Sequence, residues 1–297
     1  MARFSAYFQY EGYRFFFGGI IMHIKILGTA AAEGIPALFC NCPVCSHARK
    51  TGGKEIRTRA QTLIDNRLLI DFPADSYMHM LNNHIDLSAI SHLLVTHSHD
   101  DHFYPMDLLM RLPGYGKNWG QKQLHVYGNA AVIGLLKEMA KRFSEPEIWN
   151  YLVPHEVKPF DTFMLDEYKI TALPASHMKT EDALLYLLEK DSVCYLHAYD
   201  TGVLSEKFYQ GLRGKQVNCV CVDCTMGKCF SQYWGHMGFE NVLDLKERLD
   251  REKITNSNTK WVITHFSHNG NWLYEDMEKE LRQSPISVAY DGMKIDL

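Results

Sequence analysis

The chain has 297 residues, of which 46% are hydrophobic and 22% are charged, and its formal net charge at pH 7 is −4. This composition is typical of a globular protein. It argues against a dedicated nucleic-acid-binding protein, because such proteins usually carry a basic excess. No apolar run approaches the roughly 18 residues that a membrane helix requires. The lack of a signal-peptide pattern, in a long chain with eight cysteines, predicts a cytoplasmic protein whose thiols are free or metal-bound.

The first 21 residues differ from the rest of the chain because they are rich in aromatic side chains, interrupted by Glu11 and Arg14. Met22 directly precedes the first predicted strand, so a start at Met22 is one interpretation of this stretch. The other interpretation is an arm that packs on a neighbouring subunit. We therefore predict an N-terminal extension at residues 1–21 and a single domain at residues 22–297, since no linker or internal repeat divides the latter.

Apolar runs and turn residues predict the following elements in chain order. The first strand covers residues 23–27, and a hairpin (62–71) with a tight turn at Asp65-Asn66 follows it. Helical spacing predicts a helix over 129–142, with Asn129 as its N-cap, and another over 238–250. The other predicted strands lie at residues 91–96, 123–127, 162–173 (a hairpin), 183–189, 193–198, 217–222 and 260–264. Because strands dominate early and late, we predict two sheets covered by helices.

A dense group of metal-binding side chains follows the predicted strand 91–96. His97 and His99 are two residues apart, so in an extended chain they project to the same side. Asp101 and His102 can join them after a turn. Three imidazoles and a carboxylate so close together predict a site for one or two divalent ions.

Three later polar residues also follow predicted strands. They are His177 in L-P-A-S-H, Asp200 in H-A-Y-D-T and His265 in V-I-T-H. Each lies at the carboxyl end of a strand, where α/β sheets expose their sites. This shared placement makes them candidate ligands for the same metal centre.

These motifs resemble a known family. The segment H-S-H-D-D-H has the H-x-H-x-D-H pattern of the metallo-β-lactamase superfamily, and His177, Asp200 and His265 follow in that family's order. The resemblance implies an α/β fold, a four-layer αββα sandwich with the metals at one edge. Within the superfamily, the chain is similar to the PhnP-type cyclic phosphodiesterases associated with carbon–phosphorus lyase. This likeness runs from about residue 22 to the C-terminus, through L-G-T-A-A-A-E-G-I-P-A, C-N-C-P-V-C and T-H-F-S-H.

The resemblance implies two divalent ions, manganese or zinc, in the active site. The first ion's ligands would be His97, His99, His177 and Asp200. The second ion's ligands would be Asp101, His102, His265 and the shared Asp200. A bridging carboxylate suits such a pair because it holds two cations about 3.5–4 Å apart while it offsets their repulsion.

Cys40, Cys42 and Cys45 place three thiols within six residues, which predicts a structural zinc site. Zinc needs a fourth ligand, and from the residues alone both His47 and His268 are candidates. The resemblance implies His268. A second group, Cys219, Cys221, Cys224 and Cys229, has a similar spacing. The first two of these alternate with valines in a predicted strand, so we expect core residues there rather than a second zinc site.

Catalytic and supporting roles are also expected. The resemblance implies that His236, in W-G-H-M-G-F, assists departure of the leaving oxygen, and Asp101 is counted with it as catalytic. Asp71 matches a family aspartate and is a candidate to support a ligand from behind. The chain departs from its relatives after Asp223-Cys224, because Thr225-Met226 stands where they have Ser-His.

We therefore expect a metal-dependent phosphodiesterase in which metal-activated water attacks phosphorus. The resemblance suggests 5-phosphoribosyl 1,2-cyclic phosphate or a 2′,3′-cyclic nucleotide as substrate, with phosphonate breakdown as the context. The expected partner is a small phosphodiester, not a membrane or a nucleic acid, and a homodimer remains open. One alternative is a tRNA 3′-processing endonuclease of the same superfamily, disfavoured by the acidic net charge. Another is a non-catalytic binding protein like that of pyrroloquinoline quinone formation, and a thioester or lactam hydrolase is a third.

Overall fold

The computed structural model describes residues 22–117, 120, 122–229, 231–232 and 235–297. The predicted N-terminal extension, residues 1–21, lies outside this range. Met22 is fully buried, and its backbone pairs with that of Leu297. In the described part of the chain, no helix has the length and apolar character needed to cross a membrane.

The strands form two seven-stranded sheets. The first sheet has the order β14-β1-β2-β3-β4-β5-β6, and the second has the order β13-β12-β11-β10-β9-β8-β7. The strands are β1 His23–Gly28, β2 Gln61–Ile64, β3 Leu68–Ile70, β4 His92–Leu94, β5 Leu124–Gly128, β6 Leu152–Glu156, β7 Thr162–Leu165, β8 Tyr168–Pro174, β9 Leu184–Lys190, β10 Val193–Ala198, β11 Cys219–Asp223, β12 Lys260–Thr264, β13 Ile286–Val288 and β14 Met293–Asp296.

Helices cover the outer faces of both sheets. The α-helices are α1 Pro43–Thr51, α2 Ser76–Asn83, α3 Ala130–Arg142, α4 Glu206–Leu212, α5 Phe239–Arg251 and α6 Tyr274–Glu280. Short 3-10 helices span Gly53–Glu55, Leu87–Ala89, Pro105–Arg111, Pro146–Asn150 and His268–Gly270.

Three buried apolar clusters account for the layers. One lies between the sheets and includes Ile26 of β1 and Tyr186 of β9. The second packs α3 on the outer face of the first sheet, and the third packs α4, α5 and α6 on the second sheet. Helix, sheet, sheet and helix thus follow one another, which confirms the predicted αββα sandwich.

The predicted hairpin and the predicted helices are present with small shifts at their ends. Asp65 and Asn66 both adopt positive φ (47° and 56°), as the tight turn between β2 and β3 requires. The Asn129 side chain accepts hydrogen bonds from the amides of Ala131 and Val132, so it caps α3 as expected. The predicted strand over residues 91–96 is shorter, because β4 ends at Leu94 where the chain turns toward the histidine loop.

The topology brings several strand ends to one edge of the sandwich. Strands β3 and β4 are parallel in the first sheet, and β10, β11 and β12 are parallel in the second. Strand β8 also points the same way as β10, because each is antiparallel to β9. The carboxyl ends of all these strands therefore lie along the edge where the candidate ligands were predicted.

Candidate metal centre

The first predicted ligand set converges on one point. His99 Nδ1 lies 3.0 Å from His97 Nε2 and 3.1 Å from His177 Nε2. Asp200 Oδ2 lies 3.4 Å from both His97 Nε2 and His177 Nε2. The four side chains come from the loop after β4, the end of β8 and the end of β10, as the strand-end pattern predicted.

The second predicted set meets beside the first and shares Asp200 with it. His102 Nε2 lies 3.4 Å from Asp101 Oδ2, 3.1 Å from Asp200 Oδ2 and 3.3 Å from His265 Nε2. His265 Nε2 is 2.7 Å from the other oxygen of Asp200. All four residues are buried.

Donor spacing in both sets suits a cation. Four nitrogen or oxygen ligands about 2.0–2.1 Å from one ion, at tetrahedral angles, lie about 3.3–3.4 Å from one another. The distances around His97, His99 and His177 run from 3.0 to 3.4 Å. In the second set, the distances from His102 run from 3.1 to 3.4 Å, and His265 lies 2.7 Å from Asp200 and 3.8 Å from Asp101. The chain therefore holds two adjacent ligand sets at metal-binding spacing.

The outward nitrogens of three ligand imidazoles contact hydrogen-bond acceptors. His102 Nδ1 lies 2.7 Å from the Asp71 carboxylate, and His177 Nδ1 lies 2.9 Å from the carbonyl of Gly235. His265 Nδ1 lies 2.9 Å from the hydroxyl oxygen of Thr225, whose own proton is donated to the His265 carbonyl. A neutral imidazole that donates outward presents a lone pair inward. In that tautomer the three rings would direct lone pairs into one buried site, as a bound cation requires.

Asp71 is the buried support for this arrangement. Its carboxylate accepts hydrogen bonds from the backbone amide (2.8 Å) and the hydroxyl (2.9 Å) of Thr96, as well as from His102. These contacts fix the carboxylate, which in turn fixes the orientation of the His102 ring. The predicted role of Asp71 behind a ligand agrees with this geometry.

Burial and neighbouring charges shift the pKa values of these residues in different directions. Burial lowers the pKa of His97 well below its ordinary value, so its ring is neutral. Burial alone would raise the pKa of Asp200, but the charges of His102 and His265 and their hydrogen bonds hold it well below its usual range. The Asp101 carboxyl is also held below its usual pKa, mainly by His102, against the effect of burial. Although burial opposes it, the charge of Asp200 and the other nearby carboxylates raise the pKa of His102 and, to about 10, that of His265. A bound cation would displace these protons, since imidazoles bind divalent ions in the neutral form.

His236 lies beside both sets and is held by Asp223. Its Nδ1 is 2.7 Å from Asp223 Oδ2, and its ring lies 4.9 Å from that of His177. Asp223 Oδ1 accepts hydrogen bonds from the amides of Thr225 and Met237, so this carboxylate is fully engaged. Burial alone would lower the pKa of His236, but the charge and hydrogen bond of Asp223 raise it overall.

Sequence reasoning missed the roles of three supporting residues. Asp223 ends a strand just as Asp200 follows one, so the strand-end pattern contained the signal. Thr225 was noted only as a departure from the relatives, yet its hydroxyl oxygen contacts His265. Glu181 had no sequence signal, although its carboxylate accepts hydrogen bonds from the amide (3.2 Å) and hydroxyl (2.6 Å) of Ser98 and so anchors the histidine loop.

The cysteine group adopts the geometry predicted for a structural zinc site. His268 Nδ1 lies 3.4 Å from Cys42 Sγ and 3.6 Å from Cys40 Sγ. Zinc bonds of about 2.3 Å to sulfur and 2.05 Å to nitrogen, at a tetrahedral angle, would separate these atoms by about 3.5 Å. Cys45 belongs to the same four-residue cluster, and its amide donates to Cys42 Sγ (3.5 Å). Despite the opposing effect of burial, this and neighbouring hydrogen bonds lower the pKa of Cys42 to about 6.

The other candidates lie elsewhere. His47 contacts Glu275 and Glu55 rather than the three thiols, so the fold brings His268 and not His47 to the cysteines. Cys219 and Cys221 are fully buried in β11, as expected of core residues. Within the described residues, neither joins a cluster with metal-binding spacing.

Comparison with known proteins agrees with the fold. Residues 66–266 match the beta-lactamase superfamily domain. The sequence is 25% identical to Coenzyme PQQ synthesis protein B of Acinetobacter baumannii (strain SDF), over 93% of this chain and 100% of that protein. It is 29% identical to a Ribonuclease Z of a Picosynechococcus species, over 54% of this chain and 45% of that protein. A diphosphatase from the PhnP family has the same fold, with a TM-score of 0.70 and 22% identity over 93% of this chain and 97% of that chain. The chain belongs to the beta-lactamase superfamily.

Proposed function

We propose that the chain is a di-metal phosphodiesterase that hydrolyses a small cyclic ribose phosphate, either 5-phosphoribosyl 1,2-cyclic phosphate or a 2′,3′-cyclic nucleotide. The observation that carries the proposal is the pair of ligand sets that share Asp200, with His236 beside them. When bound, two divalent ions polarise phosphoryl oxygens and lower the pKa of water at the site. The metals we expect are zinc or manganese. We also propose a location in a reducing cytoplasm, where the thiols of Cys40, Cys42 and Cys45 stay available for zinc.

The chain's own residues orient the ligands and supply a proton. His97, His99 and His177 would hold one ion, and Asp101, His102 and His265 the other, with Asp200 contacting both. Asp71 and Thr225 fix the rings of His102 and His265 from outside. No protein nucleophile is required, since the substrate's phosphorus would be attacked by water.

His236 is the proposed proton donor to the leaving oxygen. Asp223 engages Nδ1 at 2.7 Å, and we propose that the ring presents Nε2 to the leaving oxygen of the substrate. A cyclic ribose phosphate has an alkoxide leaving group, which needs a proton as the phosphorus–oxygen bond breaks. The pairing of His236 with Asp223 provides such a donor.

Charge supports a small substrate. The net charge of −4 disfavours a long polyanion, whereas the cations of the site would attract a single phosphate group locally. The fold likeness to a PhnP-family diphosphatase adds support for phosphoryl chemistry. It also brings a small diphosphate into the set of substrates to test.

Two relatives motivate competing functions. The Ribonuclease Z likeness covers 54% of the chain and favours a tRNA 3′-processing nuclease as the second candidate. The likeness to Coenzyme PQQ synthesis protein B covers 93% of the chain and favours a metal-site protein without phosphodiesterase activity. The complete double ligand set and the His236–Asp223 pair favour the phosphodiesterase over the latter.

A substrate panel tests the proposal. Purified protein loaded with zinc or manganese would be offered a 1,2-cyclic ribose phosphate, 2′,3′-cyclic nucleotides, a nucleoside diphosphate, precursor tRNA and a thioester. We expect the highest kcat/KM with a cyclic ribose phosphate. Cleavage of precursor tRNA alone would favour the nuclease, and no turnover of any phosphate ester would favour the binding protein.

Leaving-group dependence tests the role of His236. His236→Gln should lower kcat for a 2′,3′-cyclic nucleotide by about 10²–10⁴-fold, the usual contribution of general acid catalysis. The same variant should hydrolyse bis-p-nitrophenyl phosphate with a much smaller loss, because p-nitrophenolate departs without protonation. Equal losses on both substrates would contradict proton donation by His236, and unchanged metal content would exclude an indirect effect.

A further inference from the structure

A cleft of about 630 Å³ opens on the outer face of the first sheet. Its floor consists of Leu69, Leu93 and Leu124, which belong to β3, β4 and β5. The helical layer is thin here, because α2 has eight residues and the opposite wall is the 3-10 helix Pro105–Arg111. These three leucines are only 2%, 0% and 4% exposed, so they form a closed floor, and the cleft opens to solvent between the two short helices.

The lining is apolar, and its entrance exposes further apolar side chains. Met80 of α2 and Leu108 of the 3-10 helix form opposite walls. At the entrance, Tyr77 and Met110 are 64% and 49% exposed. Small-molecule sites usually have volumes of about 300–1,000 Å³, apolar walls and few polar groups, and this cleft has all three properties.

Charged groups around the cleft favour one class of ligand. Arg111 and Lys117 line it, and Asp107 is the acidic residue among the described lining residues, so the cations exceed the anion by one charge. Arg111 is half-buried, and burial lowers its pKa to about 10, so it remains a cation at neutral pH. Arg111 Nη2 donates to the carbonyl of Lys122, and a guanidinium has five N–H donors in all. Apolar walls beside this partly buried guanidinium complement a hydrocarbon chain that ends in a carboxylate.

We propose that this cleft binds an aliphatic carboxylate of medium chain length, with the hydrocarbon between Met80 and Met110 and the carboxylate at Arg111. The site is separate from the metal centre and independent of the function proposed for it. A backbone connection links the two: the amide of Phe72, which also lines the cleft, donates to the carbonyl of His102 (2.7 Å).

Calorimetric titration of the metal-loaded protein with carboxylates from hexanoate to dodecanoate tests the proposal. We expect saturable binding of one ligand per chain, with affinity rising about fourfold per added methylene until the cleft is filled. Decanoate should bind more tightly than decanol or decylamine. No saturable binding of decanoate, or tighter binding of decylamine, would overturn the proposal.

Variants locate the site. Met80→Trp should fill the cleft and weaken decanoate binding about tenfold or more, because the hydrocarbon loses its place. Arg111→Gln should weaken decanoate by about fivefold and leave decanol unchanged, since a partly buried ion pair contributes about 1 kcal/mol. Leu243→Trp, at an exposed position of α5, is the matched control and should bind normally. Two outcomes would overturn the proposal. Unchanged decanoate affinity in both cleft variants would place the ligand elsewhere, for example on the metals. If the wild type self-associates and Met80→Trp abolishes this association, the cleft would belong to a second copy of the chain.

Discussion

His79, the buried histidine of α2, should make the stability of the protein depend on pH. His79 is 1% exposed, and its Nδ1 and Nε2 atoms each lie 2.7 Å from an oxygen, those of Gln61 and Thr58. Burial lowers its pKa from 6.5 to about 4, although Asp75 opposes this shift. The native state thus holds a neutral imidazole that the unfolded state would protonate in mild acid.

The sign and magnitude follow from proton linkage. Between pH 6.5 and pH 4 the unfolded state binds more protons at His79 than the native state, so the free energy of unfolding falls as pH falls. Above pH 6.5 this contribution is complete, and below pH 4 it is lost. With about 1.4 kcal/mol per pKa unit, the whole effect is about 3 kcal/mol, of which about 2 kcal/mol falls between pH 7 and pH 5.

The measurement is urea unfolding of the wild type and of His79→Gln at pH 7 and pH 5, with the metal content held equal. Glutamine can still hydrogen-bond to Gln61 but cannot titrate. The difference in unfolding free energy between the two pH values should therefore be about 2 kcal/mol smaller in the variant. The metal-ligand histidines contribute equally to both proteins and cancel. His84→Asn, at an exposed position just past the end of the same helix, is the control and should keep the wild-type slope.

A specific alternative would refute this reasoning. The Thr58 hydroxyl has one proton and lies 2.5 Å from Asp291 Oδ2 as well as near His79. If Thr58 donates to Asp291, His79 must be protonated on both nitrogens to donate to Thr58. Its pKa would then lie above 6.5, and removing it would steepen the loss of stability in acid instead of reducing it. A steeper slope in His79→Gln would establish that arrangement.

Three further predictions concern the metal sites. Asp200→Ala should abolish hydrolysis and release at least one active-site ion, measured as metal per chain by mass spectrometry; normal turnover at full occupancy would refute the shared-ligand assignment. The Cys42→Ser variant should lose one zinc per chain and have a lower Tm, while it keeps the active-site ions. Unchanged zinc content and Tm would count against the structural zinc site. Asp71→Asn should weaken metal binding by about 10–100-fold in chelator competition, because His102 loses its anionic partner. Asparagine tolerates the positive φ of Asp71 (64°), so equal affinity in this variant would show that the carboxylate is not needed.

The fold and the ligand sets could be predicted because their signals are local. Alternating and helical patterns gave the hairpin around Asp65 and the helix capped by Asn129, and both are present. The ligands were identified because His177, Asp200 and His265 each follow an apolar strand. Parallel strands bring such ends to one edge, so sequence position implied spatial proximity.

The supporting contacts could not be predicted because they depend on the orientation of side chains from distant segments. Glu181 is 83 residues from Ser98, and nothing in its neighbourhood distinguishes it from a surface acid. Helix α1 was also missed, because it begins inside the cysteine motif. There, the Cys42 sulfur accepts the amide of Cys45, and Pro43 occupies the first turn. Here the proposed zinc ligands also begin a helix, and the sequence pattern does not separate the two roles.

Backbone conformation at the metal centre carries information that residue types do not. Asp71, Asp200 and His265 all have φ in the left-handed region, at 64°, 49° and 60°. Each lies just after the end of a strand. The left-handed backbone there ends the hydrogen-bonded pairing of the strand and turns the side chain toward the sheet edge. Such conformations cost about 1–3 kcal/mol each at non-glycine positions and persist where the surroundings determine them. Here the determining contacts are hydrogen bonds such as that from the Asp71 amide to the Leu94 carbonyl (2.8 Å). Glycine would adopt these angles more easily, yet none of the three positions is glycine. Their side chains are therefore retained at a cost in stability, as expected where the strand end serves chemistry rather than packing.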